Sequence, residues 1–314
     1  APADRRQGLA AAPDRCTKIP VERLSAYHIG FVLGPCINAS GRLDTAKRAL
    51  ELLMAENRRD AMMLAEDLKA LNDSRKEMTE KGVEEAVRQI EKGPLKEDKV
   101  LVVYLPGCHE SIAGIIAGRI KEKYYRPTFV LTRGAEGVKG SGRSTPVYNM
   151  FGEMCRCREL FTKFGGHKLA AGLSLEEENV DKFRRIINEL SDLSDDDLLP
   201  RVSIDMQLPF AYVTESLVEE MELLEPFGKG NTKPLFAEKN LKVINPRIIG
   251  KNQNVLKFQV EDVNRNRMEA VYFGEVHECL KYMEQKQQMS FTFYPSVNEY
   301  MGVKNLQITV VNYQ

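Results

Sequence analysis

The sequence predicts an α/β layer led into by a long helix and followed by a small all-β unit. Three observations predict it. Apolar residues recur at three- and four-residue steps from Asp60 to Ile90, the period of one helix face. A strand–loop–helix–strand order runs from Val100 to Thr132, the order in which an α/β layer is laid down. After an acidic stretch ending at Pro200, five short β-prone runs lie between Leu241 and Val311, separated by turns rich in Gly and Asn.

Residues 1 to about 20 carry little pattern and read as a frayed terminus. From Tyr27 to Leu53, Gly34-Pro35 reads as a breaker, and Thr45–Met54 resumes helical spacing. The long helix carries Met63, Leu64, Leu68, Leu71, Met78, Val83, Val87 and Ile90 as its stripe and stops at Gly93-Pro94. At 1.5 Å per residue it spans about 45 Å, enough to join two domains. Val100–Tyr104 is a buried strand. A turn at Pro106-Gly107 leads through His109-Glu110-Ser111 into a small-residue helix, Ile112–Ile120. Pro127–Thr132 and Val138–Ser144 read as strands, Tyr148–Phe161 as helical, Leu173 as the start of a strand, and Asn179–Leu190 as a helix. Ser191–Pro200, with Asp195-Asp196-Asp197, is the linker. Beyond it come a short helix, Leu217–Leu224, and a loop, Pro226–Asn231. The strands are Leu241–Ile244, Leu256–Val260, Glu269–Phe273, Ser290–Tyr294 and Leu306–Val311, with a helix, Glu275–Tyr282, between the third and fourth. Five short strands interrupted in this way suggest an OB-like barrel. The expected domains are a helical region over 1–93, an α/β domain over 94–200 and the OB-like domain over 201–314.

The chain has 314 residues, 43% hydrophobic and 29% charged, the composition of a globular protein with real cores. No apolar run approaches the roughly 20 residues of a membrane span. The start, Ala1-Pro2-Ala3-Asp4-Arg5-Arg6, has no apolar segment and no initiator Met, which fits a piece of a longer protein. The six cysteines are scattered without a Cys-x-x-Cys pair. This favours free thiols in a reducing cytoplasm over a zinc site. Net charge is zero, yet 13 basic residues face 7 acidic ones from Leu95 to Leu175, and 3 face 9 from Glu176 to Pro200. A basic domain before an acidic segment fits a polyanion-binding face, or ordinary surface charge that happens to segregate.

Chemistry concentrates between Gly140 and Gly172. Ser141-Gly142-Arg143-Ser144 offers hydroxyls, backbone N–H groups in an anion nest and a guanidinium fork, a phosphate-binding set, or else a Gly/Ser-rich turn with one arginine. Phe164-Gly165-Gly166-His167 reads as a tight turn that brings an imidazole close to a ligand, or as a turn histidine with no task. His109-Glu110-Ser111 sits at a strand-to-helix junction, where N–H groups suit an anion, with Glu110 as cap or orienter. Asn38 and Arg42 lie among small residues, compatible with lining a cleft; the simpler reading is a helix–turn–helix junction capped by Asn38 or Ser40.

These motifs occur in one order: Gly34-Pro35-Cys36-Ile37-Asn38-Ala39-Ser40-Gly41-Arg42-Leu43, His109-Glu110-Ser111-Ile112-Ala113-Gly114-Ile115-Ile116-Ala117, Gly140-Ser141-Gly142-Arg143-Ser144, Phe164-Gly165-Gly166-His167 and Leu224-Glu225-Pro226-Phe227-Gly228-Lys229-Gly230-Asn231. In that order they resemble the RecJ single-stranded-DNA-specific exonucleases of the DHH phosphoesterases, from Tyr27 to the end of the chain. The resemblance implies a connecting helix, a DHH-associated domain and an OB domain. It also implies an amino-terminal catalytic domain that holds Mn2+ or Mg2+ and is not visible in this sequence: no Asp-His-His triplet is present. No metal ligand is expected in this chain, and no metal is expected to bind it alone.

Carried over by position, Ser141, Arg143 and Ser144 would hold the 5′-phosphate, Gly165 and Gly166 would face the metal centre, and His167 would act nearest the chemistry. Asn38, Arg42 and His109 would line the DNA cleft. Cys36 stands where many relatives have arginine, which argues against DNA binding there. Lys251, Lys257 and Tyr300, with Phe258 and Tyr272, would grip the strand in the OB part. Implied partners are single-stranded DNA with a 5′ end, a single-strand-binding protein and a recombination helicase, in DNA repair and recombination in the cytoplasm. The implied function is the DNA-positioning portion of a 5′→3′ exonuclease, without nuclease activity of its own. Alternatives are a non-catalytic binding module serving a separate catalytic chain, and a relative that degrades short oligonucleotides.

Overall fold

The structure is a computed structural model that describes residues 24–300 and 302–314, without the Tyr300 side chain. The segment expected to fray lies outside the described residues. The chain divides after Pro200 into two compact units.

The first unit begins with a continuous helical run. Gly34-Pro35 does not break it. Ala26–His28 passes into a π-wound turn, Ile29–Leu33, and then into α1, Gly34–Leu43. The wider winding precedes Pro35, which falls in the first turn of α1, where a missing N–H is tolerated. The junction with α2 (Lys47–Met54) therefore comes at residues 44–46. Asn38 and Ser40 are interior to α1 and cap nothing; the Ser40 hydroxyl donates to the Ile37 carbonyl at 2.8 Å. The long helix, α3 (Arg58–Lys92), starts where Asn57 accepts a hydrogen bond from the Asp60 N–H. Its first half packs Ala61, Ala65 and Leu68 against Cys36, Ala49 and Leu52 of α1 and α2. Its second half packs Ala86 and Ile90 with Ile112, Ile116 and Ile120.

The α/β layer follows as β1 (Leu101–Tyr104), α4 (Glu110–Tyr124), β2 (Thr128–Arg133), β3 (Val138–Arg143), α5 (Met150–Arg156), β4 (Lys163–His167), β5 (Ala170–Leu175) and α6 (Val180–Glu189). The strand order is β1-β2-β3-β5-β4; β1 and β2 are parallel and the other pairs antiparallel. Strand alternation sends Phe129 and Leu131 to one face, where they meet Met150, Met154, Leu173 and Phe183. Val130 goes to the other face, against α4 and α3. The sheet is thus sandwiched between helices on both sides.

The second unit contains β6 (Met206–Gln207), α7 (Glu215–Glu222), β7 (Phe236–Ile249), β8 (Val255–Glu261), β9 (Arg267–Tyr272), α8 (Val276–Glu284), β10 (Met289–Tyr300) and β11 (Val303–Tyr313). The order β10-β11-β9-β8-β7, with β10 also paired to β7, closes a five-stranded barrel, and β6 lies alongside β7. Phe258, Phe291 and Phe293 fill it, and Val276, Cys279 and Met283 of α8 join the same core. No helix among the described residues is long and apolar enough to cross a membrane.

Candidate nucleic-acid interface

The site grows out of β3. The strand Val138-Lys139-Gly140-Ser141-Gly142-Arg143 alternates buried and half-buried residues. Its glycines face the core rather than a ligand. A Cβ on Gly140 would lie 2.3 Å from Leu131 Cδ2, and one on Gly142 2.4 Å from Met150 Sδ. β3 is also paired on both sides, so its N–H groups belong to the sheet ladder and form no anion nest. What the alternation does provide is a common face: Lys139, Ser141 and Arg143 all project toward α4. Lys139 Nζ meets Glu110 at 2.6 Å, and the Arg143 guanidinium lies against Gly114, where an added Cβ would be 2.7 Å from Nη2.

Register extends this face across the sheet. Arg143 pairs with Ala170, which pairs with His167. Ser141 pairs with Gly172, which pairs with Gly165. Paired residues share a face, and two strand spacings are about 10 Å. His167 therefore stands in the Arg143 row, and the Ser141 row carries no side chain on β5 or β4. A Cβ on Gly165 would meet nothing within 4 Å, and one on Gly172 only the Gly140 carbonyl at 4.0 Å. The result is an open floor beside Ser141, in a cleft of about 330 Å³ bordered by Glu110, Ser111 and Lys139.

The segment expected to be a tight turn is the edge strand β4. The chain reverses after it, at Lys168-Leu169, and the His167 Nδ1 accepts from the Leu169 N–H at 3.2 Å. Gly166 serves a close approach: a Cβ there would lie 2.4 Å from the Ala170 carbonyl oxygen. Ser144 does not join the site. It is buried, and its hydroxyl donates to the Tyr148 carbonyl at 2.9 Å. His109, rather than Glu110, is the N-cap of α4; its Nδ1 accepts from the Ser111 N–H at 3.3 Å. It also borders an apolar groove between α3 and α4, about 430 Å³ in volume, with Met78, Leu105 and Ile112.

α1 supplies the next charge. Arg42 Nη1 donates to the Ser111 carbonyl at 2.8 Å, and exposed Asn38, one turn earlier, shares its helix face. Cys36 turns the other way, into the α1–α3 core. Two further arginines, missed in the sequence, join this surface. Burial and the Arg42 charge hold Arg143 below the usual guanidinium range. Burial, Arg42 and Arg119 do the same to Arg75. Asn72, buried in α3, fixes Arg75 by accepting from its Nε and Nη2 at 3.2 and 2.9 Å. Among the described residues none of these four arginines pairs with a carboxylate. The sequence signal for Arg75 was its place beside Asn72, a polar residue within the apolar stripe of α3.

In the second unit, Lys257 pairs with Glu269 at 3.1 Å, and Lys251 is exposed in the loop between β7 and β8. Phe258 is in the barrel core and Tyr272 packs against it, so neither ring is free to stack on a base. The Tyr300 side chain lies outside the described residues. No three or more His, Cys, Asp or Glu among the described residues are placed to hold a metal ion. These residues do not make a metal-ligand set, and no step below is routed through one.

The fold and this face define a class: an α/β unit of the DHHA1 type followed by an OB unit. The DHHA1 domain family matches residues 97–191, and the RecJ OB domain family matches residues 204–312. The single-stranded-DNA-specific exonuclease RecJ of Bacillus subtilis is 32% identical over 90% of this chain and 36% of its own length. That of Escherichia coli K12 is 33% identical over 93% of this chain and 52% of its own. The chain therefore spans about half or less of the length of these curated relatives. RecJ of Thermus thermophilus, solved in complex with Mn2+, superposes with a TM-score of 0.83 at 24% identity, over all of this chain and 44% of that one. The chain belongs to the RecJ family and matches the C-terminal part of its members.

Proposed function

We propose that this chain is the substrate-positioning part of a 5′→3′ single-stranded-DNA exonuclease acting in DNA repair and recombination. The observation that carries the reading is the register row that joins Arg143 to His167 beside an unneutralised arginine cluster. Four guanidiniums without a carboxylate suit a polyanion, and arginine forks match phosphate oxygens bidentately. Arg143 and Ser141 take the terminal 5′-phosphate, with Arg42 on the α1 side. The glycine floor of β4 and β5 gives the sugar and base room to lie against the sheet. His167, about two strands away, meets the next phosphodiester, where Nε2 can donate to a phosphate oxygen. The strand continues to the OB unit, whose relatives carry the same two domains.

RecJ relatives have been solved with Mn2+ and with Mg2+. Such a divalent ion would stabilise the reacting phosphoryl group, held by residues of a further domain. The chain alone then binds single-stranded DNA and does not hydrolyse it. The cytoplasm is the expected compartment, with a single-strand-binding protein and a recombination helicase as partners.

The test is a binding and nuclease assay with 5′-phosphorylated and 5′-hydroxyl oligonucleotides. The chain should bind both, prefer the phosphorylated one, and release 5′ mononucleotides only when a catalytic domain is added. Equal affinity for both ends would sink the 5′-phosphate assignment. Robust metal-dependent hydrolysis by the chain alone would sink the positioning role.

A further inference from the structure

Charge in the second unit is sharply segregated. From Arg201 to Gln314 it carries 13 basic and 14 acidic residues. Between Pro226 and Phe258, however, 7 basic residues stand against a single carboxylate, Glu238. That carboxylate is buried, and its Oε1 accepts from Gln207 Nε2 at 3.0 Å and from the Lys239 N–H at 2.9 Å. The stretch is therefore almost uncompensated at the surface. It comprises the loop before β7, β7 itself, the next turn and the first half of β8.

The loop is built rather than loose. Asn231 Nδ2 donates to the Leu224 and Pro226 carbonyls at 2.8 and 3.1 Å, and Gly228 and Asn231 exchange backbone hydrogen bonds at 2.8 and 3.2 Å. Gly230, at φ +90°, takes the left-handed conformation that this turn needs. The loop holds Phe227 half-buried and Lys229 exposed. Lys233 Nζ lies 5.8 Å from the Phe227 ring centre and 5.2 Å from that of Tyr294 on β10. Lys233 forms no ion pair with a described carboxylate. An ammonium against two rings is held by cation–π attraction alone and keeps its N–H bonds for another acceptor.

The face continues along β7. Lys242 pairs in register with Glu261, and Arg247 with Lys257; an irregularity between Ile244 and Arg247 restores the outward side. Phe258, next to Lys257, points into the core, so Lys242 and Arg247 point out of the barrel. Basic side chains thus follow one another from the loop, along the strand, to Lys251.

We propose that Phe227, Lys233 and Tyr294 form the entry anchor of a single-strand nucleic-acid track on the OB unit, continued by Lys242 and Arg247. Lys229 and Lys233 take successive phosphates. As Lys233 engages a phosphate, the ring faces it covered become available to a base. Aromatic rings beside a basic groove are the recurrent means of gripping single strands without reading sequence. The proposal rests on the reading of the chain as a single-strand binder. It adds a site distinct from the 5′-phosphate site of the first unit.

The experiment uses the full chain and a 5′-hydroxyl oligothymidylate, so the terminal-phosphate site is not at issue. Lys229→Glu combined with Lys233→Glu, and separately Lys242→Glu combined with Arg247→Glu, should each weaken binding at least tenfold. Each pair should lower the salt slope by about 1.4, at about 0.7 for each phosphate no longer engaged. Lys281→Glu with Lys286→Glu, at α8, should change affinity less than twofold, and circular dichroism checks that each variant is folded. Because the chain has no tryptophan, Tyr294→Trp supplies a single reporter. Its emission should be quenched by the oligonucleotide and not by an abasic strand of the same length. Equal losses from all three charge reversals, no loss from the first pair, or equal quenching by both strands would overturn the track. Loss of 5′-phosphate preference in Arg143→Ala with these results intact would separate the two sites.

Discussion

Gly114→Ala separates function from stability at the 5′-phosphate site. Gly114 lies inside α4, where alanine is favoured over glycine by about 1 kcal/mol. An added Cβ would sit 2.7 Å from Arg143 Nη2 and 3.3 Å from Cζ. The contacting atoms are the far end of a flexible side chain, so the helix need not move; the guanidinium does. Arg143→Ala sets the ceiling of the effect. Removing a hydrogen bond to a charged partner costs about 1.5–3 kcal/mol, or about 10- to 150-fold in affinity. Gly114→Ala should fall within that ceiling while raising or preserving the urea midpoint. The assay is fluorescence anisotropy with 5′-phosphorylated and 5′-hydroxyl strands at one salt concentration, beside urea unfolding. A stabilised variant with lower affinity for the phosphorylated strand alone is the expected result. Unchanged end preference in both Gly114→Ala and Arg143→Ala would refute the placement of the phosphate at Arg143.

Gly140→Ala should destabilise the first unit by about 1–3 kcal/mol through overpacking, because its Cβ would meet Leu131 at 2.3 Å. Gly172→Ala, with nothing closer than 4.0 Å, should leave urea unfolding nearly unchanged and weaken strand binding by crowding Ser141. Arg75→Met should keep or raise stability, since Arg42 and Arg119 oppose the charge it removes, and should reduce both affinity and the salt slope. Burial pushes the thiols of Cys108 and Cys157 up to about 11 and that of Cys279 up to about 12. With folded values above the unfolded value of 9.0, these groups hold their protons longer in the native state. Their contribution to stability is complete below pH 9 and is lost as pH rises toward 11–12. Urea midpoints measured from pH 8 upward should fall accordingly, and a flat profile would contradict the burial of these thiols.

The layer order was legible because its signals are local. Val100–Tyr104 is a continuous apolar run, the α3 stripe repeats at helical spacing, and the OB strands alternate between turns. The site was legible in composition and misread in geometry. Gly140 and Gly142 look like ligand-facing glycines in sequence, yet pairing with β2 and β5 turns them into the core. Gly165 and Gly172 look ordinary, yet register puts both beside Ser141. Alternation fixes which residues share a face of one strand, but only pairing says which rows meet across strands. Arg75 and Arg119 were missed for the same reason: a surface shared by α3 and α4 has no spacing in sequence. Gly34-Pro35 misled because a π-wound turn, invisible to propensity, takes up the proline.

The arginine cluster is the part of the fold that packing explains least. Like charges gathered around a helix oppose folding, and the lowered values of Arg75 and Arg143 express that opposition. Guanidiniums stay protonated at any physiological pH, so the repulsion cannot be relieved by losing a proton. No carboxylate among the described residues relieves it either. Asn72 and the Ser111 carbonyl instead hold Arg75 and Arg42 in place at the cost of that repulsion. A bound polyanion removes it, so binding of a phosphorylated strand should raise the unfolding midpoint of the first unit. The increase should shrink with salt and should be smaller for Arg75→Met, where less repulsion remains to be relieved. A salt-independent increase, or one of equal size in both proteins, would mean that the cluster is not where the phosphates bind.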